Sequence, residues 1–182
     1  MKLTRITMVI AAVIYLSGCA SGAKMENMIY QGGQKAYSGE LKDSLEVSNV
    51  SGGQKTNPAW TSEISSEAFS GAVKQSLLAQ GLLSNDGRYK LTVKMLKVEQ
   101  PLFGLDFEVT THVQYTLIDS KENSTIFDQT IVAPHTATFS DAFAGVERLR
   151  LANEGSGKKN ISNFLEKLSE LKINKNEISL AK

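Results

Sequence analysis

Histidine and cysteine are the side chains most often used for metal ligation and nucleophilic catalysis. The chain has two histidines, His112 and His135, and one cysteine, Cys19. A zinc site needs three or four convergent ligands, usually with two of them close in sequence, and these residues lack that spacing. A Ser-His-Asp triad can draw its members from anywhere, but the Gly-x-Ser-x-Gly motif of many hydrolases is missing. We therefore predict no metal, no cofactor and no enzymatic activity.

Cys19 ends a short amino-terminal leader. Lys2 and Arg5 give the leader a positive start, and an apolar run at residues 6–16 follows. The run is too short to span a bilayer as a helix, and these features together are typical of a signal peptide. We therefore predict that residues 1–18 form a signal peptide.

Leu16-Ser17-Gly18-Cys19 resembles the lipobox of bacterial lipoproteins. The resemblance implies that the Cys19 thiol receives a diacylglyceryl group, that the chain is cut between Gly18 and Cys19, and that the new amino terminus is acylated. Several acyl chains hold a protein on a membrane stably, whereas one chain is marginal. In this family an Asp directly after the cysteine favours inner-membrane retention, so Ala20 implies the outer membrane, facing the periplasm. The alternative is an ordinary secretory signal with an incidental cysteine.

The composition fits one domain without a nucleic-acid partner. Removing 18 of the 182 residues leaves 164, enough for a single domain with a real core. The leader holds two of the 20 basic residues, so 18 basic residues face 19 acidic ones and the net charge is −1. This balance gives no electrostatic reason to bind nucleic acid. With Cys19 acylated, no thiol is left for a disulfide.

Composition also divides the mature chain. Residues 19–40 are rich in Gly, Ser and Gln, which predicts a flexible tether. Residues 41–172 carry the periodic patterns of an α+β periplasmic domain, and we expect residues 173–182 to be a disordered tail.

Alternating apolar residues predict four strands, and apolar residues at three- and four-residue steps predict two helices. The predicted strands cover residues 41–50, 89–99, 107–117 and 125–133, and the predicted helices run from Asn57-Pro58 to a Gly81 cap and from Ser140 to about Leu171. The stripe of the second helix is small and polar at its centre, near Gly155 and Gly157. Either this helix breaks there, or it approaches the sheet too closely for larger side chains.

The order of elements, β-α-β-β-β-α, predicts the fold class. We expect an α+β two-layer sandwich with an approximately four-stranded, mainly antiparallel sheet and two helices on one face. The first strand must join the sheet through a crossover because a helix follows it.

Three regions are candidates for contacts with a partner. Glu147, Arg150, Glu154 and Lys158 stand three and four residues apart, which predicts either a solvated ladder of ion pairs or a docking face. The segment 133–141 is predicted to be a loop, where recognition often resides, and Pro101–Leu105 places apolar residues at a turn that contacts protein or lipid, or packs on the sheet edge. The partner-binding candidates are His135, Asp141, Arg148, Arg150 and Asn153.

Residues 56–60, 100–110 and 133–155 resemble an uncharacterised family of Gram-negative outer-membrane lipoproteins. The order of elements is also similar to that of the lipopolysaccharide-assembly lipoprotein of the outer membrane. Both resemblances imply location and fold, and neither implies an activity.

The leading hypothesis is a non-enzymatic outer-membrane lipoprotein that acts as an accessory or assembly factor and binds an envelope protein or glycoconjugate. One alternative is an envelope hydrolase or transferase that uses His112 or His135 with a nearby carboxylate. Another is a carrier that holds a small ligand or lipid in an apolar pocket between helix and sheet.

Overall fold

The computed structural model describes residues 20–174 and 177–180. The predicted signal peptide and Cys19 lie outside these residues. In chain order the elements are α1 (Met25–Met28), a 3₁₀ turn (Gly39–Leu41), β1 (Leu45–Ser51), α2 (Ser66–Ala79), β2 (Tyr89–Glu99), β3 (Phe107–Asp119), β4 (Ser124–Ala137), α3 (Gly145–Ser169), β5 (Leu171–Asn174) and β6 (Glu177–Leu180).

The first four strands form one mixed sheet in the order β1-β2-β3-β4. β1 runs parallel to β2, whereas β2, β3 and β4 pair antiparallel. Parallel neighbours cannot be joined by a hairpin, and the connection that contains α2 supplies the crossover. The predicted α+β two-layer sandwich is confirmed.

β3 shows why only one face of the sheet carries the core. Every second residue from Phe107 to Asp119 is buried, and the residues between them are half-buried or exposed. This alternation is typical of an antiparallel strand with one covered face. The register with β2 shifts between Met95 and Lys97, where the alternation of the sequence also slips.

An aromatic stack joins α3 to the centre of the sheet. Phe164 of α3 lies parallel to the Tyr115 ring, with centroids 4.1 Å apart, and meets the edge of Phe127 at 5.9 Å. Tyr115 is fully buried, and this burial raises the pKa of its hydroxyl well above the ordinary value. The hydroxyl donates to Asn160 Oδ1 at 2.9 Å. The space between α3 and the sheet is thus filled by packed rings.

α2 begins at Ser66 and not at Pro58 as the sequence predicts. Its cap is the Ser65 hydroxyl, which accepts a hydrogen bond from the backbone N–H of Ala68 at 3.1 Å. Asn57 instead closes a tight turn through its own side chain. Asn57 and Ser65 can both cap a helix, and Ser65 is the residue that caps α2.

The carboxyl end of α2 agrees with the sequence. Gly81 has φ of 67°, a conformation that costs glycine little. The N–H groups of Gly81 and Leu82 donate to the carbonyls of Leu78 and Leu77, each at 3.0 Å, which is the Schellman arrangement.

The segment predicted to be a tether packs against the domain instead. Met28 and Leu41 are fully buried, and Ala23 is 7% exposed. The backbone N–H of Tyr30 donates to the hydroxyl of Ser76 in α2 at 2.9 Å. The segment has the glycine- and serine-rich composition of a linker, but its scattered apolar residues pack beside the helices.

The carboxyl-terminal residues also differ from the prediction of a disordered tail. β5 and β6 pair antiparallel, with Leu171 opposite Leu180 and Ile173 opposite Ile178. These apolar residues alternate along each strand, which is the period of a hairpin.

β4 continues to Ala137, four residues past the predicted loop boundary at Ala133. Pro134 is tolerated because β4 is an edge strand. α3 begins at Gly145, and Ser140 does not cap it.

The ion pair at the β3–β4 turn predicts a pH dependence. Arg88 Nη2 lies 2.5 Å from Asp119 Oδ2, and this guanidinium lowers the pKa of the carboxyl below its ordinary value of 3.8. A lowered folded-state pKa contributes stability that is present above the unfolded-state value and is lost as pH falls through the folded-state value. We therefore expect the difference in unfolding free energy between wild type and Asp119→Asn to be largest above about pH 5 and to shrink below about pH 4. Urea unfolding across this pH range measures it, and a difference independent of pH would contradict it.

Candidate functional site

α3 carries buried polar side chains where its apolar stripe is interrupted. Asn153, Ser156 and Asn160 are fully buried. Ser156 Oγ donates to the Ala133 carbonyl at 2.7 Å, and Asn160 Nδ2 donates to the Ile131 carbonyl at 2.9 Å. Buried polar groups need such partners. Ser156 and Asn160 therefore fix α3 on β4, and Asn153 Nδ2 donates to the Ser62 carbonyl at 2.8 Å and so fixes α3 on the loop before α2.

The glycines at the centre of α3 do not break the helix, which is continuous from Gly145 to Ser169. A Cβ at Gly155 would overlap the ring of His135, and one at Gly157 would lie 2.7 Å from the sulfur of Met28. Of the two alternatives that the sequence leaves open, close approach is the correct one.

A buried ion pair ties α3 to the amino-terminal segment. Arg150 and Glu154 are 7% and 3% exposed, and Arg150 Nη1 donates to Glu154 Oε1 at 2.6 Å. Glu154 also accepts from the backbone N–H of Lys24 at 2.9 Å and from Asn27 Nδ2 at 2.8 Å. Glu147 holds the other side of the Arg150 guanidinium. The predicted solvated ladder is therefore largely an internal contact.

The five partner-binding candidates do not share an exposed surface. Three of them, Arg148, Arg150 and Asn153, are buried, whereas His135 and Asp141 are exposed. Arg148 Nη1 donates to the carbonyls of Ala142 at 2.7 Å and Phe143 at 3.0 Å. Asp141 accepts from the backbone N–H of Thr138 at 2.7 Å. Both side chains thus shape the loop before α3.

The two histidines lie on opposite faces of the sheet. His112 alternates with the buried residues of β3, and His135 packs on Gly155 beneath α3. His112 Nε2 is 3.6 Å from Glu99 Oε1, and Lys97 holds the same oxygen at 2.5 Å. Among residues 20–174 and 177–180, no three His, Cys, Asp or Glu side chains gather as metal ligands do.

A shallow groove of about 440 Å³ runs beside α3 and includes His135, Tyr30, Lys158 and Lys159. Lys158 Nζ donates to Gln31 Oε1 at 2.7 Å, and Lys159 Nζ donates to the Pro134 carbonyl at 3.1 Å. Most of its lining is apolar surface, but the groove is open and lies beside α3, whereas the carrier hypothesis needs a pocket between helix and sheet.

Three loops meet at the end of the sheet where β1 and β2 finish and β3 begins. They are residues 52–65, 100–106 and 138–144. Gln100 Nε2 donates to the Ser62 carbonyl at 3.0 Å, which joins the first loop to the second. The backbone N–H of Phe139 donates to Asp106 Oδ1 at 3.0 Å, which joins the second loop to the third.

These loops expose large apolar side chains, which we call the apolar tip. Its members and their exposed fractions are Trp60 75%, Leu102 94%, Phe103 86%, Leu105 74%, Phe139 47% and Phe143 84%. The other exposed large hydrophobic side chains of the described chain reach 56% at most. The sequence indicates the turn at 101–105, but it places Trp60 on a helix, and the structure places Trp60 in a turn. The absence of charge at 57–62 was a signal in the sequence for this surface.

The described chain begins at the same end of the molecule. The backbone N–H of Ala20 donates to the Pro58 carbonyl at 2.9 Å, and the N–H of Ala23 donates to the Glu63 carbonyl at 2.9 Å. Both acceptors belong to the first of the three loops. The residue that directly follows Cys19 therefore lies beside the turn that carries Trp60.

Within the part of the chain that the structure describes, no helix combines the length and the apolar character needed to cross a bilayer. No family model matches the sequence, and no curated protein matches it either.

Solved structures of bacterial proteins share the arrangement of strands and helices. A Xanthomonas campestris protein of the family DUF330 is similar over 80% of this chain and 91% of its own, with a TM-score of 0.55 and 10% identity. A minor lipoprotein of Acinetobacter baumannii is similar over 78% of this chain and 98% of its own, with a TM-score of 0.46 and 13% identity. The Xanthomonas structure shows that a bacterial protein has this fold.

Proposed function

We propose that this protein is a lipid-anchored protein of the bacterial envelope, held on the outer membrane through Cys19 and facing the periplasm. It acts as a non-enzymatic accessory or assembly factor. The observation that carries the proposal is the position of Ala20, the residue directly after the predicted lipid attachment site.

Ala20 is 8% exposed, and its backbone is hydrogen-bonded to Pro58. A lipid on Cys19 would thus leave the folded domain without an intervening tether. Because several acyl chains give stable attachment, the domain would be held close to the bilayer, with the three loops nearest to it.

The two histidines of the enzymatic alternative, His112 and His135, make other contacts. His135 covers Gly155, and the Glu99 carboxylate that lies 3.6 Å from His112 Nε2 is paired with Lys97. The open face of the sheet carries ion pairs such as Lys90 with Glu46 at 2.6 Å. We propose this polar face as a surface for contact with another envelope component.

Replacing Cys19 with alanine tests the anchor. We expect the wild-type chain to remain with membranes after a carbonate wash and to sediment with the outer membrane in a density gradient. Cys19→Ala is expected to appear in the washed, soluble fraction because it has no acyl chains. Intact-mass analysis of the wild-type amino terminus should show a chain that begins at residue 19 with added acyl groups.

Ser17→Ala is the matched control because it keeps a small residue before the cleavage position, and it should behave as wild type. An unacylated native chain that still begins at Met1 would refute the proposed function.

A further inference from the structure

We propose that the apolar tip inserts into the interface of the lipid bilayer beside the anchor, so that the domain is docked on the membrane as well as tethered to it. The inference rests on the proposed function, because the lipid on Cys19 is what brings this end of the domain to the bilayer.

Exposure supports the inference first. Trp60, Leu102, Phe103, Leu105 and Phe143 are each more than 70% exposed, and all five belong to loops at one end of the sheet. Exposed apolar patches that are this concentrated mark contact with a protein, a ligand or a membrane.

The composition of the loops favours lipid. The stretches 57–62 and 101–105 contain no charged side chain, and the charges of these two loops, Lys55, Glu63 and Asp106, lie outside them. Residues 138–144 contain only Asp141, which accepts a hydrogen bond from the Thr138 hydroxyl at 2.8 Å. Tryptophan is favoured at membrane–water interfaces because its ring is apolar and its N–H can reach water, and phenylalanine and leucine are common on the apolar faces of elements that lie in the interface. Because the tip has no cluster of basic residues, we expect docking to need no anionic lipid.

The position of Ala20 favours lipid as the partner of the apolar tip. Cys19 precedes Ala20 by one peptide bond, and Ala20 is hydrogen-bonded to the turn that contains Trp60. An acyl chain on Cys19 would therefore enter the bilayer next to the apolar tip. The membrane contacts the tip without any further component.

Trp60 is the only tryptophan in the chain, so its fluorescence reports the tip alone. The acylated protein would be purified from membranes and reconstituted into phosphatidylcholine vesicles with or without brominated acyl chains. We expect brominated lipid to quench Trp60 emission at least twofold, with a shift to shorter wavelength. The double variant Leu102→Glu/Phe103→Glu should lose most of this quenching and still float with the vesicles. Both side chains are exposed, so its urea unfolding midpoint should match that of wild type.

The matched control is the variant Trp60→Phe/Leu78→Trp, which moves the tryptophan from the tip to the carboxyl end of α2. Leu78 is also exposed, at 56%, and its replacement should show no quenching by brominated lipid. Docking is refuted if the wild-type protein floats with vesicles but its emission is quenched no more than that of this control. The apolar tip would then be a surface for contact with a protein.

Failure of the anchor is visible separately. If mass analysis shows no acyl group, the proposed function fails, and the same quenching is measured on the unacylated chain at high vesicle concentration. Quenching of Trp60 there would support docking by the tip, and its absence would refute it.

Discussion

Phe164→Ala is expected to lower the free energy of unfolding by about 3–5 kcal/mol, the usual cost of truncating a buried phenylalanine. The side chain is fully buried, stacks on Tyr115 and meets the edge of Phe127. Its removal leaves a cavity between α3 and the sheet that the rigid aromatic neighbours cannot fill. Urea unfolding followed by far-ultraviolet circular dichroism measures the loss.

Phe103→Ala removes the same side chain from an exposed loop and serves as the control. Phe103 is 86% exposed, so its replacement should change stability by no more than about 0.5 kcal/mol. A loss below about 1 kcal/mol for Phe164→Ala would show that this site collapses without cost and that α3 is not held by the stack.

Glu154→Ala is expected to cost about 3 kcal/mol, the lower end of the range for a broken buried ion pair, because Glu147 still pairs with Arg150. The variant also removes the acceptor for the backbone of Lys24 and the side chain of Asn27. We therefore expect the amino-terminal segment to detach before the domain unfolds. Trypsin should then cut after Lys24 several times faster than in wild type, and urea unfolding gives the free energy.

Glu147→Ala is the matched control because Glu147 binds the same arginine from an exposed position. Its side chain is 47% exposed, against 4% for Glu154. An exposed pair contributes about 0–1 kcal/mol, and Glu147 accepts no hydrogen bond from the backbone of Lys24 or from Asn27; only the charge of Lys24 acts on it. Equal effects of the two variants on stability and on cleavage would contradict the assigned role of Glu154.

The fold follows from local patterns that survive in the tertiary structure. The alternation along β3 and the three- and four-residue steps along α3 each reflect one buried face, so the order of elements was sufficient to predict a two-layer sandwich. The small residues near Gly155 indicated close packing, because a helix that lies very near a strand leaves no room for a larger side chain.

The sequence could not predict the features that depend on distant partners. Asn57 and Ser65 are both good caps in isolation, and packing decides between them. Lys24 and Glu154 are 130 residues apart, and no local composition shows that the segment around Lys24 docks. Arg150 was expected on the surface because arginine is rarely buried, and only the carboxylates on both sides of it explain its position.

The candidate site was found in part. The turn at 101–105 was identified from its apolar residues, but Trp60 and Phe143 join it only when three loops that are distant in sequence meet in space. The parallel pairing of β1 with β2 brings the ends of both strands, and so the first two loops, to one end of the sheet. The antiparallel pairing of β3 with β4 brings the third loop to the same end.

The docking of the amino-terminal segment on α3 also sets an order of events during synthesis. The hydrogen bond between Lys24 and Glu154 cannot form until α3 has been made, because its acceptor is translated 130 residues after its donor. Until then this segment can contact only earlier parts of the chain, such as Pro58, Glu63 and Ser76. On the proposed function, the enzymes that would modify Cys19 would therefore meet a segment that α3 has not yet covered.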